Sequence, residues 1–114
     1  MYIKAANLPI VEKRFEESRG VVRMLQLATR KQMLDHARQF SHAFLEPGCT
    51  VTAHKHSGET EIYYFLKGKC LYNDNGTEIE ICAGDVTITG DGEYHGIINN
   101  TAETLEFIAL VILE

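Results

Sequence analysis

The sequence is poor in cysteine, and the spacing of the few cysteines suggests no cross-link. Cys49, Cys70 and Cys82 are odd in number and form no CxxC pair. A disulfide framework uses cysteines in pairs and a zinc ribbon needs closely spaced ones, so neither is indicated. We predict that the three are small buried residues in a reducing compartment, with a reactive thiol as the alternative.

Basic clusters and long apolar runs are also missing. Lysine and arginine number 11 against 16 acidic residues, for a net charge of -5, and the basic residues form no run longer than the pair Arg30 and Lys31. Nucleic-acid binding needs a concentrated cationic face and is not expected. The longest apolar run, residues 107–113, is too short to span a bilayer. Residues 1–10 lack the apolar run of a signal peptide, so we predict a cytoplasmic protein with no membrane partner.

The length and the composition are those of one folded domain. A chain of 114 residues and 12.8 kDa can bury a core without disulfide or metal staples. Apolar residues make up 45% and charged residues 24%, close to the averages for globular proteins and far from those of disordered chains.

The second two-thirds of the chain reads as short strands separated by turns. Eight of the nine glycines lie between Gly48 and Gly96, and Asn75 followed by Gly76 is typical of a type I′ hairpin turn. Strands at this spacing favour an all-β sandwich or barrel over βαβ units. The apolar or alternating segments that predict strands are residues 51–56, 61–66, 69–73, 77–82, 86–89, 94–98 and 105–113.

The first third has weaker signals. Residues 38–46 alternate and predict a strand, whereas residues 21–28 fit either a strand or a helical turn. Residues 31–36 contain helix-forming residues without a clear N-cap. Residues 12–17 are charged and fit a solvated helix turn or an arm. We therefore divide the chain into an N-terminal arm, residues 1–19, and a barrel domain, residues 20–114.

Three histidines and one glutamate have the spacing of a metal site. His54 and His56 are two apart on a predicted strand, so their side chains project to the same face. A turn follows, and Glu61 begins the next strand, where a hairpin returns its carboxylate to the two imidazoles. If the strands close into a barrel, His95 on a later strand can join them. Imidazoles and a carboxylate are ligands for a divalent transition metal.

With these residues in place, the chain resembles the cupin superfamily. Its first motif has glycine, five residues, HxH, three or four residues, glutamate, six residues and glycine. Its second has glycine, five residues, proline, any residue, glycine, two residues, histidine, three residues and asparagine. Gly90 stands where the second motif usually has proline. The matching residues are Gly48, His54, His56, Glu61 and Gly68 for the first motif, and Gly84, Gly92, His95 and Asn99 for the second.

The resemblance implies a single jelly-roll β-barrel that holds one divalent transition metal, Mn, Fe, Ni or Zn, through His54, His56, Glu61 and His95. Open coordination positions would accept a chelating oxygen ligand. The family's chemistries include decarboxylation and oxidation of small carboxylates, dioxygenation and sugar isomerisation, and small single-domain cupins of this kind look most like oxalate-decarboxylase-type proteins. We predict binding of, and action on, a small carboxylate or sugar, with a non-catalytic ligand-binding module as the alternative.

Several other residues are candidates for the site. Glu59 is a rival carboxylate, predicted to be solvated in a turn. Tyr63 shares the inward face with Glu61 and is the candidate catalytic residue, with simple packing in the barrel as the alternative. Arg38 and Gln39 could meet a substrate at the barrel mouth, although surface exposure is favoured for both. His42 fits either a cavity wall or an ordinary structural histidine.

Apolar residues on both faces of two strands predict a homodimer. Ile62, Tyr64 and Leu66 alternate with Glu61, Tyr63 and Phe65, and residues 107–113 are apolar throughout. One face can fill the barrel, and the other needs a cover. A second copy of the chain or the N-terminal arm could supply it, and the family resemblance implies paired barrels with exchanged terminal segments.

Overall fold

Ten β-strands make up most of the computed structural model, which describes residues 1–114. A 3₁₀ turn, Ala5–Asn7, precedes them, and no helix has the length and apolar character needed to cross a membrane. The strands are β1 (Ile10–Lys13), β2 (Val22–Gln26), β3 (Ala37–Leu45), β4 (Thr50–Lys55), β5 (Glu59–Lys67), β6 (Lys69–Asp74), β7 (Thr77–Cys82), β8 (Val86–Thr89), β9 (Tyr94–Ile98) and β10 (Leu105–Leu113).

The strands form two antiparallel sheets that enclose the core between them. One sheet has six strands in the order β1-β2-β3-β10-β5-β8, and the other has four in the order β4-β9-β6-β7. The eight strands predicted from residue 38 onward are confirmed, and β7 to β10 have the predicted bounds. The turn at Asn75 and Gly76 is also confirmed, since the two residues have φ of 52° and 95°.

The first third resolves in favour of strands. The ambiguous segment 21–28 contains β2, in which Val22 and Met24 point into the core while Arg23 is exposed. Residues 31–36 form turns and no helix, because Leu34 and Asp35 have φ of 56° and 60°, which a right-handed helix cannot contain.

The segment predicted as an arm is partly built into the sheet. Its strand Ile10–Lys13 pairs with β2, so the reading of residues 12–17 as a helix turn is wrong. The connection that follows is bonded to β4, where the backbone N–H of Thr52 donates to Ser18 Oγ at 2.8 Å and that of Thr50 donates to the Arg19 carbonyl at 2.8 Å. The loop between β1 and β2 therefore joins the edges of the two sheets.

The side chains of β5 alternate between the core and the surface, as the sequence predicted. Glu61, Tyr63 and Phe65 are buried, whereas Tyr64 and Leu66 on the opposite face are 47% and 41% exposed.

The three cysteines differ in burial: Cys70 is buried, Cys49 is half-buried and Cys82 is exposed. The prediction of burial is thus wrong for Cys82, because its neighbour Ile81 takes the inward position at the end of β7.

An unusually close approach between β4 and β9 sets the register on which the site depends. A β-bulge separates Val51 from His54, and His54 then pairs with His95 across the two strands. A Cβ added to Gly96 would lie 2.9 Å from Ala53 N and 3.0 Å from Val51 O. Only glycine allows the backbones to meet here, next to His95.

A buried asparagine fastens the opposite end of the barrel. Asn99 Nδ2 donates to the carbonyls of Leu45 and Glu103, both at 2.9 Å. Its Oδ1 accepts hydrogen bonds from the backbone N–H and the hydroxyl of Thr101, at 3.1 and 2.7 Å. One side chain therefore ties the end of β3 to the turn between β9 and β10.

We expect Asn99→Ala to lower the free energy of unfolding by about 2–3 kcal/mol, because it removes four hydrogen bonds, among them the one to the buried carbonyl of Leu45. Chemical denaturation would measure the loss. The matched control is Asn100→Ala, since Asn100 is the adjacent asparagine and is exposed. Equal effects of the two substitutions would contradict the assigned role of Asn99.

Candidate metal centre

Four side chains converge inside the barrel, and they are the four that the sequence singled out. His54 lies on β4, His56 directly follows β4, Glu61 is on β5 and His95 is on β9. Their ligand atoms all lie within 4.8 Å of one another. His56, Glu61 and His95 are buried, and His54 is partly exposed. Residues from both sheets are thus brought to one point in the interior.

The contacts within the cluster need a positive charge between them. His95 Nε2 lies 3.0 Å from His56 Nε2 and 3.2 Å from His54 Nε2. Glu61 Oε1 lies 3.1 Å from the Nε2 atoms of both His56 and His95. A neutral imidazole nitrogen without hydrogen carries a lone pair, and two lone pairs at this distance repel unless a proton or a cation lies between them.

The outer nitrogens of two of the rings are already bonded to the protein. His54 Nδ1 donates to the carbonyl of Thr52 at 2.9 Å, which leaves Nε2 of a neutral ring with its lone pair toward the cluster. His95 Nδ1 lies 2.6 Å from the Tyr72 hydroxyl and 2.9 Å from that of Thr89. Such partners fix the orientation of metal-binding histidines. The four residues therefore fit a divalent metal and could hold one.

Burial and mutual hydrogen bonds shift the pKa values of three of the four cluster residues. Burial by itself would raise the pKa of Glu61, but hydrogen bonds with His56 and His95 outweigh it and lower the pKa to about 2. The hydrogen bond with Glu61 raises the pKa of His56 above its usual value. Burial lowers the pKa of His54, which forms no hydrogen bond with a carboxylate.

Phe15 shields one ligand from solvent, a role that the sequence reasoning missed. Its ring stacks on that of His54, with centroids 4.9 Å apart and planes 23° from parallel. The ammonium of Lys13 lies over the Phe15 ring, 4.5 Å from its centroid. The one sequence signal was a lone aromatic residue within the charged segment 12–17.

A small cavity opens onto the cluster and has cationic side chains around it. Its volume is about 110 Å³, and Lys13, Arg38 and Lys55 contribute to its wall together with Gln39. A larger groove of about 310 Å³ on the four-stranded sheet contains none of the four cluster residues. Arg38 and Gln39 thus line the interior cavity rather than only the outer surface.

Glu59 is not the solvated turn residue that the sequence predicted. It begins β5, and its two carboxylate oxygens accept hydrogen bonds from Arg38 Nε and Nη2 at 2.6 and 3.1 Å. The hydrogen bond from Arg38 lowers the pKa of Glu59. Its side chain is only 16% exposed. The pair joins β3 to β5, a contact that no local signal in the sequence could reveal.

Tyr63 and His42 lie on opposite sides of the sheet. Tyr63 points inward as predicted, and its ring stacks on His95 with centroids 5.0 Å apart, but it does not line the cavity. Burial raises the pKa of Tyr63 well above its usual value, so the hydroxyl keeps its proton at neutral pH. His42 lies on the outer face, where Nε2 is 3.0 Å from Glu106 Oε1 and the ring stacks on Phe44.

The departure from the usual proline at Gly90 has a local explanation. The backbone N–H of Gly90 donates to Glu93 Oε1 at 2.8 Å, and this carboxylate also binds Asn75 through its other oxygen at 3.0 Å. Proline has no N–H and could not make the first of these bonds. The turn that precedes His95 is therefore closed by a side chain instead of by a rigid ring.

The barrel and its cluster of histidines and glutamate agree with the family and the relatives that this chain matches. A family model described as the cupin domain matches residues 41–112. A protein of Thermotoga maritima named oxalate-binding protein is 45% identical over 95 residues, which are 83% of this chain and 78% of that protein. The chain belongs to the cupin family.

Solved structures of cupins confirm the predicted jelly-roll barrel. The crystal structure of a predicted oxalate decarboxylase from Thermotoga maritima matches with a TM-score of 0.93 and 38% identity over 100% of both chains. A polyketide cyclase from Streptomyces resistomycificus shares the fold alone, with a TM-score of 0.80 at 18% identity over 100% of this chain and 80% of that one.

We expect Phe15→Ala to raise the pKa of His54 toward its ordinary value in the metal-free protein. Burial lowers that pKa, and loss of the stacked ring admits water, which favours the charged imidazole. Titration followed by NMR would measure the shift. Phe44→Ala is the matched control, since Phe44 stacks in the same way on His42, and it should leave the titration of His54 unchanged.

Proposed function

We propose that this cupin binds one divalent transition metal ion through His54, His56, Glu61 and His95, and through it a small dicarboxylate of the oxalate type. Manganese, iron, nickel and zinc all accept imidazole and carboxylate ligands. A metal ion bound there supplies a Lewis acid that polarises ligand oxygens. The names given to the matches from Thermotoga maritima, oxalate-binding protein in one comparison and predicted oxalate decarboxylase in the other, support this choice of ligand.

The observation that carries the proposal is the cavity above the cluster. Its volume of about 110 Å³ equals that of about three to four water molecules. The cavity wall carries three cationic side chains, Lys13, Arg38 and Lys55, against two carboxylates, Glu59 and Glu61, although the chain as a whole has a net charge of -5. A guanidinium matches the two oxygens of a carboxylate. A ligand that is small, doubly negative and able to chelate satisfies the size, the charge and the donor set together.

We expect the purified protein, reloaded if necessary, to contain about one divalent ion per chain by elemental analysis. Glu61→Gln should lower metal affinity by at least about tenfold, because it removes the charged ligand. Glu106→Gln is the matched control, since Glu106 also contacts a histidine, His42, but on the outer face. A metal content below about a tenth of an equivalent after reloading would refute the proposed metal site.

Calorimetry with the same preparations tests the ligand. Oxalate should bind the metal-loaded protein and not the chelator-treated protein. Succinate should bind at least about tenfold more weakly than oxalate, because its two carboxylates can close only a seven-membered chelate ring on one metal ion, whereas those of oxalate close a five-membered ring. Equal affinity for oxalate with and without metal would contradict the proposed mode of binding.

Turnover of the bound acid is the second candidate function. Tyr63 is the candidate residue for it, because its buried hydroxyl keeps its proton and its ring stacks on His95, one of the four cluster residues. An enzyme should consume a dicarboxylate in the presence or absence of oxygen, as read by mass spectrometry, and Tyr63→Phe should slow it without loss of metal. Reversible binding with no product would identify a ligand-binding module.

We further propose that the protein is a homodimer in which a second copy covers the outer face of the six-stranded sheet. Across this face Ile88 pairs with Ile62, Ile62 with Leu110 and Leu110 with Phe40, so the apolar residues are continuous over four strands. Tyr64, Val86 and Ile88 are 47%, 53% and 62% exposed. A self-complementary apolar face of this kind suits a two-fold interface.

Light scattering at tens of micromolar should show a dimer, and Ile88→Lys should give monomers, since a charge cannot be buried unpaired in an apolar interface. Ile79→Lys is the matched control, because Ile79 is 39% exposed but lies on β7 in the other sheet. A monomeric wild-type protein would refute the dimer. Exchange of residues 1–19 between subunits remains part of this proposal.

A further inference from the structure

One of the three histidines has no partner behind it. The Nδ1 atoms of His54 and His95 contact Thr52 and the hydroxyls of Tyr72 and Thr89, respectively. His56 Nδ1 is buried and makes no hydrogen bond. A buried donor without an acceptor costs about 1–3 kcal/mol, so an unsatisfied nitrogen on a ligand ring calls for a physical reason.

The nearest acceptor is the carboxylate of Glu59, which is held slightly too far away. Glu59 Oε1 lies 3.5 Å from His56 Nδ1, beyond ordinary hydrogen-bond length. The same oxygen accepts from Arg38 Nη2 at 3.1 Å, and Arg38 Nε holds the other oxygen at 2.6 Å. The guanidinium thus holds both oxygens of Glu59, and in this position Oε1 stays short of hydrogen-bond distance from the imidazole.

We infer that Glu59 is a positioning residue that passes from Arg38 to His56 when an anionic ligand takes Arg38, and that it thereby couples ligand binding to metal binding. The inference rests on the proposed function and describes how the bound ligand would regulate metal binding. A carboxylate that enters the cavity offers the Arg38 fork a substitute for Glu59. A movement of about 0.6 Å then brings Glu59 Oε1 within ordinary hydrogen-bond range of His56 Nδ1.

The consequence is a stronger hold on the metal. A histidine whose outer nitrogen donates to a carboxylate is fixed in orientation and is a more basic ligand, and loss of such a partner typically lowers metal affinity about 10- to 100-fold. By reciprocity, whatever the ligand adds to metal affinity the metal adds to ligand affinity. The protein would then retain its metal most firmly when its ligand is present.

A double-mutant cycle on Mn²⁺ affinity, with no oxalate present, tests this arrangement. Arg38→Met frees Glu59 and should raise the affinity for Mn²⁺ about tenfold, as measured by the electron paramagnetic resonance signal of free Mn²⁺. In the Glu59→Gln background the same substitution should change the affinity by less than about twofold. If loss of the arginine charge alone were responsible, Arg38→Met would raise the affinity by the same factor in both backgrounds, which would overturn the inference.

Two further variants separate charge from geometry. Arg38→Lys keeps the charge but cannot hold both oxygens, so it should also raise Mn²⁺ affinity above that of the wild type, and it serves if Arg38→Met fails to fold. The matched control is Arg30→Met, because Arg30 forms a similar pair with Asp35 at 3.0 Å but does not line the cavity. It should change the affinity by less than about twofold, and a tenfold rise would overturn the inference.

A last experiment measures Mn²⁺ affinity in the presence of oxalate. After correction for the Mn²⁺–oxalate complex in protein-free samples, oxalate should raise Mn²⁺ affinity by a factor at least about three times larger in the wild type than in Glu59→Gln. Equal factors would overturn the inference while leaving metal and oxalate binding intact. Absence of any Mn²⁺ binding by the wild type would instead overturn the proposed function, and this inference with it.

Discussion

The barrel interior is organised around nitrogen and oxygen lone pairs that meet within hydrogen-bond distance. Three imidazole nitrogens and a carboxylate oxygen lie 3.0–3.2 Å from their neighbours in a site from which water is largely excluded. Such an arrangement is unfavourable in an apolar core unless positive charge lies at its centre. The depressed pKa of Glu61 and the elevated pKa of His56 both follow from that demand.

Several backbone features of the fold serve this convergence. The bulge in β4 and the bare backbone of Gly96 let β4 and β9 approach closely enough to place His54 opposite His95. Behind the rings, hydroxyl and carbonyl groups hold two of the outer nitrogens, and the Phe15 ring covers the partly exposed ligand. The loop that carries Phe15 is hydrogen-bonded to β4, the strand on which His54 lies.

Cationic side chains are concentrated around the cavity of an otherwise acidic protein. The chain is acidic as a whole, yet Lys13, Arg38 and Lys55 stand around the entrance to the cluster. Local cations of this kind concentrate small anions at the one place where a metal could bind them. The pairing of Arg38 with Glu59 keeps one of these cations neutralised and places a second carboxylate beside His56. Ligand and metal thus share residues on the same wall.

The sequence by itself determined the fold class, eight of the strands and the four residues of the cluster. Those features depend on local regularities: alternation marks strands, Asn75 with Gly76 marks a turn, and HxH places two rings on one face. The same reasoning failed where a local pattern has two meanings. Residues 12–17 look like a solvated segment because they are charged, yet they end an edge strand and carry the ring that covers His54.

Only the tertiary structure decided which side chains surround the cluster. Arg38 precedes Glu59 by 21 residues, and Tyr72 precedes His95 by 23, and nothing in those separations signals contact. The inward access of Arg38 follows from a register shift between β10 and β3, near Val111 and Ile112, whereas His42 keeps the outward position that regular alternation gives it. Because a change of one residue in register moves a side chain to the other face of a sheet, such placements follow from strand pairing and cannot be read from the strand alone.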